Sequence, residues 1–234
     1  MAEATKAARS GAKEVVLTID VGGSHVKVQT SAGSEIRRTD SGPGLTPAQT
    51  VGKVKQLADG LDFDVISMGY PGPVRQNRPS LDPKNLGKGW EGFDFGTAFG
   101  KPFKMVNDAL MQAIGSYDGG RMLFIGLGTG LGSAMIIEHV AQPLELAHLP
   151  YRKDMTFEDY VGERGIERRG KEKWRSSVAD VVARLAAALQ PDYIVIGGGN
   201  VEKLKELPPN CRRGDNKRAF EGGFRLWHNK ALVV

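Results

Sequence analysis

Two stretches of this chain share one pattern, in which an apolar run, a glycine-rich turn and a second apolar run follow one another. The first covers residues 15–28 and reads VVLTIDVGGSHVKV, and the second covers residues 121–137, with GTGLGS as its turn. Each stretch is typical of a β-hairpin. Because two such units in one chain are much less often accidental than one, they predict duplicated halves that face each other across a cleft.

The glycines of these turns indicate anion binding. A residue without a Cβ can adopt positive φ and lets the backbone approach a ligand closely, so that bare N–H groups surround phosphate oxygens. Asp20 ends the first apolar run, where its carboxylate suits a hydrated Mg²⁺ ion. Taken alone, a Gly-Gly hairpin beside an aspartate is more often plain structure. Neither turn fits a Walker A loop or a Rossmann fingerprint, because both motifs lead into a helix.

Composition limits the classes of function. The chain has 234 residues, 40% of them hydrophobic, which is enough for one large or two small domains. Its formal net charge of +5 allows an anionic substrate without requiring nucleic acid. The single cysteine, Cys211, excludes an internal disulfide and a cysteine-built zinc site, in agreement with a reducing compartment.

The hydropathy of the chain predicts a cytoplasmic protein. Residues 1–14 carry basic side chains but no apolar stretch, so we interpret them as a disordered leader and not as a secretory signal. No later run approaches the length of a membrane span. We therefore expect neither a membrane nor a nucleic acid as partner.

Local signals predict further elements. Thr46, Pro47 and Gln49 are typical of a helix start, with an N-cap, a proline in the first turn and a capping box. The irregular stretch at residues 74–100 carries four aromatic residues, which indicates an ordered, functional loop. Apolar patterning predicts strands at residues 65–68, 104–106 and 193–196 and helices at 109–117 and 176–189.

Asn107 and Asp108 stand between a predicted strand and a predicted helix. Asn or Asp at this junction has an ordinary role as the N-cap of the helix. Two such residues in tandem leave one side chain free to face a ligand, and we favour that functional interpretation.

Gly197, Gly198 and Gly199 follow the strand predicted at residues 193–196. Three consecutive glycines permit close approach to a flat ligand such as adenine. A tight strand-to-helix turn explains them equally well, so both interpretations stand.

Seven motifs occur in the order found in the ROK sugar kinases, and the chain resembles that family over about residues 15–230. They are DVGGSHVK from Asp20, GYPG from Gly69, NLGKGW from Asn85, VNDA from Val106, LGTGLGS from Leu127, ELAH from Glu145 and IGGG from Ile196. Each motif is common alone, whereas the ordered set is specific. The NLGKGW segment and the missing cysteines are most similar to the polyphosphate glucokinase branch.

The resemblance implies an α/β protein with the actin-like ATPase fold, of the ribonuclease H-like, hexokinase type, in which two α/β lobes surround a cleft. After the leader, we expect an N-terminal α/β lobe at residues 15–107 and a C-terminal α/β lobe at residues 108–234. We also expect a homodimer.

The resemblance further implies a sugar kinase that transfers a phosphoryl group from polyphosphate or ATP to a hexose hydroxyl, with glucose 6-phosphate as the expected product and Mg²⁺ as cofactor. Asp108 would be the catalytic base, and Asp20 the metal ligand. The residues implied to bind the sugar are Asn85, Asn107, Asp108, Glu145, His148 and Glu158. Those implied to bind the donor phosphates are Gly22, Gly23, Ser24, Lys27, Gly128, Thr129 and Gly130, and those implied to bind a nucleotide are Gly197, Gly198 and Gly199.

Two departures from the family pattern bear on activity. The pattern Glu-Leu-Gly-His is Glu-Leu-Ala-His here, so Ala147 would shift His148 if that backbone needs positive φ. The cysteine-rich zinc motif of many members is absent, which leaves His148 a direct contact with the sugar as its functional role.

The sequence leaves more than one possibility for the phosphoryl donor and for the function. ATP would use the glycines at 197–199, whereas polyphosphate would prefer a basic groove. The basic residues available for such a groove are Arg75, Lys84 and Lys88, or Arg212, Arg213, Lys217 and Arg218. The alternative functions are a catalytically impaired ROK-like sugar-binding protein and an actin-like ATPase without a sugar substrate. A regulator with a helix-turn-helix would need more than the 14 residues that precede Val15.

Overall fold

The computed structural model describes residues 13–234, and the predicted leader at residues 1–14 lies outside the described residues except for its last two. Two five-stranded sheets form the framework. Within the described range, no helix combines the length and the apolar character needed to cross a membrane.

The first sheet and its helices come from the first half of the chain. Its elements are β1 (Val16–Val21), β2 (His25–Thr30), β3 (Arg37–Asp40), α1 (Pro47–Leu57), β4 (Val65–Tyr70), β5 (Val74–Arg75), β6 (Arg78–Pro79), α2 (Phe95–Phe99) and β7 (Phe103–Asn107).

The second half of the chain begins with a helix and supplies the second sheet. Its elements are α3 (Asp108–Ser116), β8 (Arg121–Leu127), β9 (Leu131–Ile137), β10 (Val140–Leu144), β11 (Pro150–Arg152), β12 (Met155–Thr156), α4 (Phe157–Val161), α5 (Glu163–Leu189), β13 (Tyr193–Gly197), β14 (Cys211–Arg213) and α6 (Arg218–His228). Short 3₁₀ turns lie at Leu146–His148 and Val201–Lys203.

The two sheets repeat one topology. The strand order is β3-β2-β1-β4-β7 in the first and β10-β9-β8-β13-β14 in the second. In each sheet the central strand, β1 or β8, pairs antiparallel with the strand that follows it and parallel with a later one, β4 or β13. The duplication predicted from the two glycine turns is confirmed, because the β1–β2 and β8–β9 hairpins occupy equivalent places.

Helix α6, close to the C-terminus, packs against the first sheet. The Ser67 hydroxyl of β4 donates to the carbonyl of Gly223 at 2.7 Å, and a Cβ added to Gly223 would overlap the Thr18 side chain. On the other side of the helix, a Cβ added to Gly222 would overlap the carbonyl oxygen of Met111 in α3. The two glycines therefore let α6 lie directly between the first sheet and α3. A division of the chain into lobes at residue 108 remains a prediction.

The predicted local elements are confirmed, with one difference in extent. Thr46 is the N-cap of α1 and forms the capping box with Gln49. Helix α5 begins at Glu163 and not near residue 176, and it is interrupted at Gly170, where φ is +75°. Its first part is rich in charged residues and has no apolar period, so the pattern revealed only the second part.

The stretch at residues 74–100 is ordered around its aromatic side chains. The ring centroid of Trp90 lies 5.5 Å from that of Tyr70 and 5.7 Å from that of Phe95. The indole N–H of Trp90 donates to the carbonyl of Leu45 at 3.1 Å, which satisfies the polar atom of a fully buried residue. This loop is therefore packed onto the core of the first sheet.

Candidate active site

The parallel strands of the first sheet end side by side. The register pairs Asp20 of β1 with Gly69 of β4, and Gly69 with Val106 of β7. Because neighbouring strands lie about 4.8 Å apart, Asp20 is about 10 Å from Val106 and near the residues that follow it. Ligands of α/β folds bind at the carboxyl ends of such strands. The fold thus brings Asp20 to the edge of the sheet where Asn107 and Asp108 lie.

Asn107 is the N-cap of α3. Its Oδ1 accepts hydrogen bonds from the N–H groups of Ala109 and Leu110, at 3.0 and 3.2 Å, and its Nδ2 donates to the carbonyl of Gly72 at 3.2 Å. Both ends of the carboxamide therefore contact the backbone. Asn107 therefore caps the helix, and its contact with the sugar remains a prediction, while the Asp108 side chain is the one left to face a ligand.

Asp108 is the first residue of α3, and it is partly exposed. Burial raises the pKa of its carboxyl to about 7, and the negative charge of Asp20 adds to the rise. A hydrogen bond that Oδ1 accepts from the N–H of Ala109 at 2.7 Å opposes it, and the charge of Glu145 makes a further, smaller contribution to the rise. The predicted site residues Asp20, Asp108 and Glu145 are thus close enough to interact. A carboxyl group with a pKa near neutrality is suited to proton transfer.

The first glycine turn joins β1 to β2 and is held from outside by Ser41. Within the turn, the N–H of Gly22 donates to the carbonyl of His25 at 2.9 Å. Ser41 donates twice, from its N–H to the carbonyl of Ser24 at 2.9 Å and from its hydroxyl to the carbonyl of Gly22 at 2.6 Å. These bonds fix the carbonyls of the turn, and Ser24 itself is exposed.

Asn85 lies against the first glycine turn. A Cβ added to Gly23 would stand 3.4 Å from the Cβ of Asn85, and both residues are exposed. The structure therefore brings a predicted sugar-binding residue beside a predicted phosphate-binding one.

Lys27 and Asp20 form an ion pair on neighbouring strands, with 3.4 Å between Nζ and Oδ2. Burial raises the pKa of Asp20, and the charge of Lys27 opposes that rise. Lys27, predicted to contact donor phosphates, thus lies at the same edge as the predicted metal ligand and neutralises part of its charge.

The second glycine turn joins β8 to β9 and is held by the start of α5. The N–H of Gly128 donates to the carbonyl of Gly130 at 3.1 Å. The N–H of Glu163 donates to the carbonyls of Gly128 and Thr129, at 3.1 and 3.2 Å. The glycine turn also lies against the N-terminal end of α3, because a Cβ on Gly132 would stand 2.8 Å from the Cβ of Ala109, the residue after Asp108.

The glycines of the two turns do not use positive φ. Gly22, Gly23, Gly128 and Gly130 all have φ values outside that region, so this part of the sequence prediction is wrong. At Gly128 the missing Cβ leaves open space, because a Cβ there would meet no described atom within 4 Å, whereas at Gly130 it makes room for the Glu158 carboxylate. Close backbone approach to a ligand is therefore retained without strain at Gly128.

Glu158 lies against the second glycine turn. Its Oε2 accepts a hydrogen bond from the N–H of Leu131 at 3.4 Å, and its Oε1 is 3.5 Å from the guanidinium of Arg164. A Cβ added to Gly130 would overlap the Glu158 carboxylate. The structure therefore places this side chain at the turn predicted to bind phosphate, and its contact with a sugar remains a prediction.

Glu145 and His148 lie together on an exposed 3₁₀ turn, with 3.7 Å between Oε2 and Nε2. Ala147, between them, is 3% exposed and packs in the core of the second half. Its φ is not positive, so the extra methyl group does not strain this backbone. The alanine thus gives no structural reason for lost activity.

The three glycines at the end of β13 serve different purposes. A Cβ on Gly197 would stand 2.9 Å from the ring of Phe124, and one on Gly198, where φ is +84°, would overlap the backbone of Leu127. These two permit close packing of β13 against β8. Around Gly199 the structure is open, with no described atom within 4 Å of its Cβ position. Only Gly199 therefore presents a free backbone face, and its contact with a nucleotide remains a prediction.

The carboxylates at this edge fit a magnesium ion of the kind that phosphates help to hold. Across residues 13–234 no group of three or more His, Cys, Asp and Glu side chains is arranged for a metal. Mg²⁺ is commonly bound through one or two carboxylates together with substrate phosphates and water, which does not require such a group. The repulsion from Asp20 that raises the pKa of Asp108 is a feature that a nearby cation would relieve.

Of the basic residues considered for a polyphosphate groove, several are engaged in local contacts. Lys88 lies 3.7 Å from Asp82, and Arg212 lies over the ring of Tyr193 at 4.3 Å. Arg213 donates to the carbonyl of Val201 at 2.9 Å. The exposed members that remain available are Arg75, Lys84, Lys217 and Arg218.

Three residues of the site were not found by sequence reasoning: Ser41, Glu163 and Asn200. Each contacts the backbone of a glycine turn from a distant point of the chain. Asn200 follows the three glycines directly, which is the only signal that pointed to it. Ser41 and Glu163 stand in polar stretches without a motif.

Fold and site together define a class of α/β protein, in which two duplicated halves bring their glycine turns close to a carboxylate at a helix N-terminus. Solved structures with the same fold are similar to the chain. The chain is similar to the inorganic polyphosphate/ATP-glucomannokinase of Arthrobacter sp. strain KM, at 20% identity and a TM-score of 0.78 over 93% of this chain and 99% of that one. It is also similar to the ROK-family glucokinase of Streptomyces griseus in complex with glucose and AMPPNP, at 16% identity and a TM-score of 0.70 over 92% and 99%.

The chain therefore has the actin-like ATPase fold, in the form found in the ROK sugar kinases. A ROK-family transcriptional regulator, a homologue of the E. coli MLC protein, has this fold too, at 15% identity and a TM-score of 0.74 over 93% of this chain and 78% of that one. No protein family model matches the chain, and no curated protein does. Fold alone does not separate a kinase from a regulator, and only the residues of the site can distinguish the two.

Proposed function

We propose that this chain is a hexokinase-type phosphotransferase that moves a phosphoryl group from polyphosphate, ATP or both to a hexose hydroxyl, converting glucose to glucose 6-phosphate. The observation that carries the proposal is Asp108, a partly exposed carboxyl at a helix N-terminus whose pKa is raised to about 7. Asp20, just before the first glycine turn, is close enough for its charge to act on Asp108. Gly132, at the end of the second turn, lies against Ala109, the residue after Asp108. A sugar-sensing regulator has no need of a proton acceptor between two phosphate turns.

In this proposal Asp108 accepts the proton of the attacking hydroxyl. An ionised carboxylate only accepts hydrogen bonds, so it orients a hydroxyl and takes up its proton as the new P–O bond forms. Glu145, His148 and Asn85 are exposed beside the site and available to the other hydroxyl groups of the sugar. Asn107 supports the site by holding the start of α3.

The two turns bind the donor through backbone N–H groups. Phosphoryl transfer passes through a loose transition state, so the protein acts mainly by positioning and by stabilising charge. Gly23, Ser24 and Thr129 are exposed at the turns, which suits contact with phosphate oxygens.

A bound Mg²⁺ ion would neutralise charge that develops on the transferred phosphoryl group. Asp20 is the residue that would hold it, either directly or through water, while Lys27 supplies a fixed positive charge beside it. A cytoplasmic location and a homodimer belong to the same proposal.

A coupled assay that follows glucose 6-phosphate tests the activity, with polyphosphate and ATP as donors in parallel. We expect glucose-dependent turnover with at least one donor. ATP hydrolysis that is indifferent to every sugar would instead show an actin-like ATPase. Binding of glucose without turnover by either donor would show a sugar-binding protein.

A further inference from the structure

The second glycine turn has its carbonyl groups held on one side. The N–H of Glu163 donates to the carbonyls of Gly128 and Thr129, at 3.1 and 3.2 Å. The peptide unit is planar and trans, so its N–H points opposite to its C=O. Holding these two carbonyls towards α5 therefore directs the N–H groups of Thr129 and Gly130 to the opposite side. Successive N–H groups that point the same way form a concave anion site.

Asn200 gives the same turn a second point of attachment. Its Nδ2 donates to the carbonyl of Gly128 at 3.0 Å and to Oε2 of Glu163 at 2.6 Å. Its backbone N–H donates to the carbonyl of Leu127 at 2.9 Å. Asn200 is 5% exposed, so leaving its own polar atoms without partners would be costly.

Glu163 is itself oriented by an ion pair. The Nζ of Lys203, on the 3₁₀ turn that follows Asn200, lies 3.1 Å from Oε1 of Glu163. Hydrogen bonds from Asn200 and Lys203 hold the pKa of the Glu163 carboxyl below its usual value, so the group is ionised at neutral pH. A charged acceptor strengthens the bond from Asn200 and fixes which way the carboxamide faces.

We propose that Asn200, oriented by Glu163 and Lys203, is a positioning residue that keeps the second glycine turn in the conformation that binds the donor phosphates. This inference rests on the proposed phosphate-binding role of the turn. It assigns Asn200 a contact with the turn and none with the substrate. Its carboxamide is needed because both hydrogens of Nδ2 are donated, and a residue of equal size without donors fails to hold the turn.

Three variants test this inference through binding of inorganic tripolyphosphate, measured by calorimetry well below the melting temperature. Asn200→Ala removes the carboxamide, and Asn200→Asp keeps its size but places a carboxylate against the Gly128 carbonyl. Asn210→Gly is the matched control. It removes a carboxamide bond to the carbonyl of Asp192, 2.7 Å long, before β14, at a backbone with φ +60° that suits glycine.

We expect both Asn200 variants to weaken tripolyphosphate binding by about tenfold, the ratio that corresponds to one lost hydrogen bond of about 1.4 kcal/mol. In the kinase assay the KM for the donor should rise by a similar factor, while the KM for glucose stays unchanged. Asn210→Gly should match the wild type in both measurements. Thermal melting of each variant reports any general loss of stability separately.

Wild-type affinity for tripolyphosphate in Asn200→Ala, with only a lower melting temperature, would overturn the inference and leave Asn200 a purely structural residue. Retained affinity in Asn200→Asp alone would also overturn it, since it would show that size and not donation matters. Absence of tripolyphosphate binding by the wild type would remove the anion site itself. If binding follows the expected pattern but no hexose is phosphorylated, the inference stands and the proposed kinase activity fails.

Discussion

A Cβ placed on Gly132 would stand 2.8 Å from the Cβ of Ala109, so the start of β9 lies directly against the first turn of α3. Ala109 follows Asp108 in the chain. The second glycine turn and the proposed base are therefore in contact through their neighbours Gly132 and Ala109. A shift in the position of the turn should thus also move the base.

Gly132→Ala should lower turnover because the added methyl group must push the turn away from α3. Small misplacements of reacting groups are costly in phosphoryl transfer, and we expect a loss of about tenfold in kcat or more. The matched control is Gly52→Ala on the exposed face of α1, where a Cβ meets no described atom within 4 Å. That variant should gain up to about 1 kcal/mol in stability with unchanged kcat. Equal kcat in the two variants would contradict the coupling.

Asp108→Asn should abolish most of the activity while leaving the fold and glucose binding intact. Asparagine has the same shape but is not a base, so we expect kcat to fall by about 10²-fold or more. The coupled assay gives kcat, and calorimetry with glucose gives the affinity. Near wild-type turnover in this variant would show that another group accepts the proton.

The pKa of Asp108 predicts how activity depends on pH. Because the base must be ionised, kcat/KM should rise with pH and level off above about 7, the value that burial and Asp20 produce. A profile that is flat between pH 5 and 8 in the wild type would contradict this assignment, and the residual activity of Asp108→Asn should lack this limb.

The raised pKa of Asp108 also predicts that stability falls with rising pH, whereas activity rises. The folded state holds the Asp108 proton more tightly than the unfolded state, so the stability of the wild type should fall as pH rises from about 4 to about 7. Asp108→Asn lacks this loss and should be the more stable protein above pH 7, with little difference below pH 4. The upper limit of the gap is about 4 kcal/mol, which screening by solvent reduces. Denaturant unfolding at both pH values measures it.

Gly128→Val should block the donor without damaging the fold. A Cβ at this position meets no described atom within 4 Å, so the valine side chain would project into the space where phosphates are expected. We expect at least a tenfold weaker apparent affinity for donor, an amount set by one clash of order 1–3 kcal/mol. Unchanged affinity for both polyphosphate and ATP would remove this turn from the site.

The sequence predicted the fold better than the details of the site. Both hairpins and the α1 capping box followed from local pattern, because strand period and turn chemistry act over a few residues. The repeat of the hairpin unit predicted the duplication, and the structure supplied the order of the strands. The roles of the glycines did not follow. Gly198 is needed for its contact with Leu127, and Gly132 for its contact with Ala109. Neither partner is adjacent to its glycine in the sequence.

Glu158 also shows that a role implied by sequence says little about the contacts that a side chain makes. The family resemblance implies that it contacts the sugar, which remains a prediction, and the structure places its carboxylate at the N–H of Leu131 beside the second turn. Ser41 and Glu163 carry no motif, yet each holds a turn by hydrogen bonds to its carbonyls. A hydrogen bond between residues far apart in the chain leaves no periodic trace in the sequence.

By itself, the sequence determined the strands, turns and helices that have a clear apolar period or turn motif, and it placed an acid at the start of α3, because backbone preference and apolar period are local properties. Only the tertiary structure decided that Asp20, Asp108 and Glu145 come close enough for their charges to interact, and that Asn107 caps the helix while Asp108 remains to face a ligand. Electrostatic coupling and burial depend on distances through space, and these exist only once the two sheets and α6 have packed together.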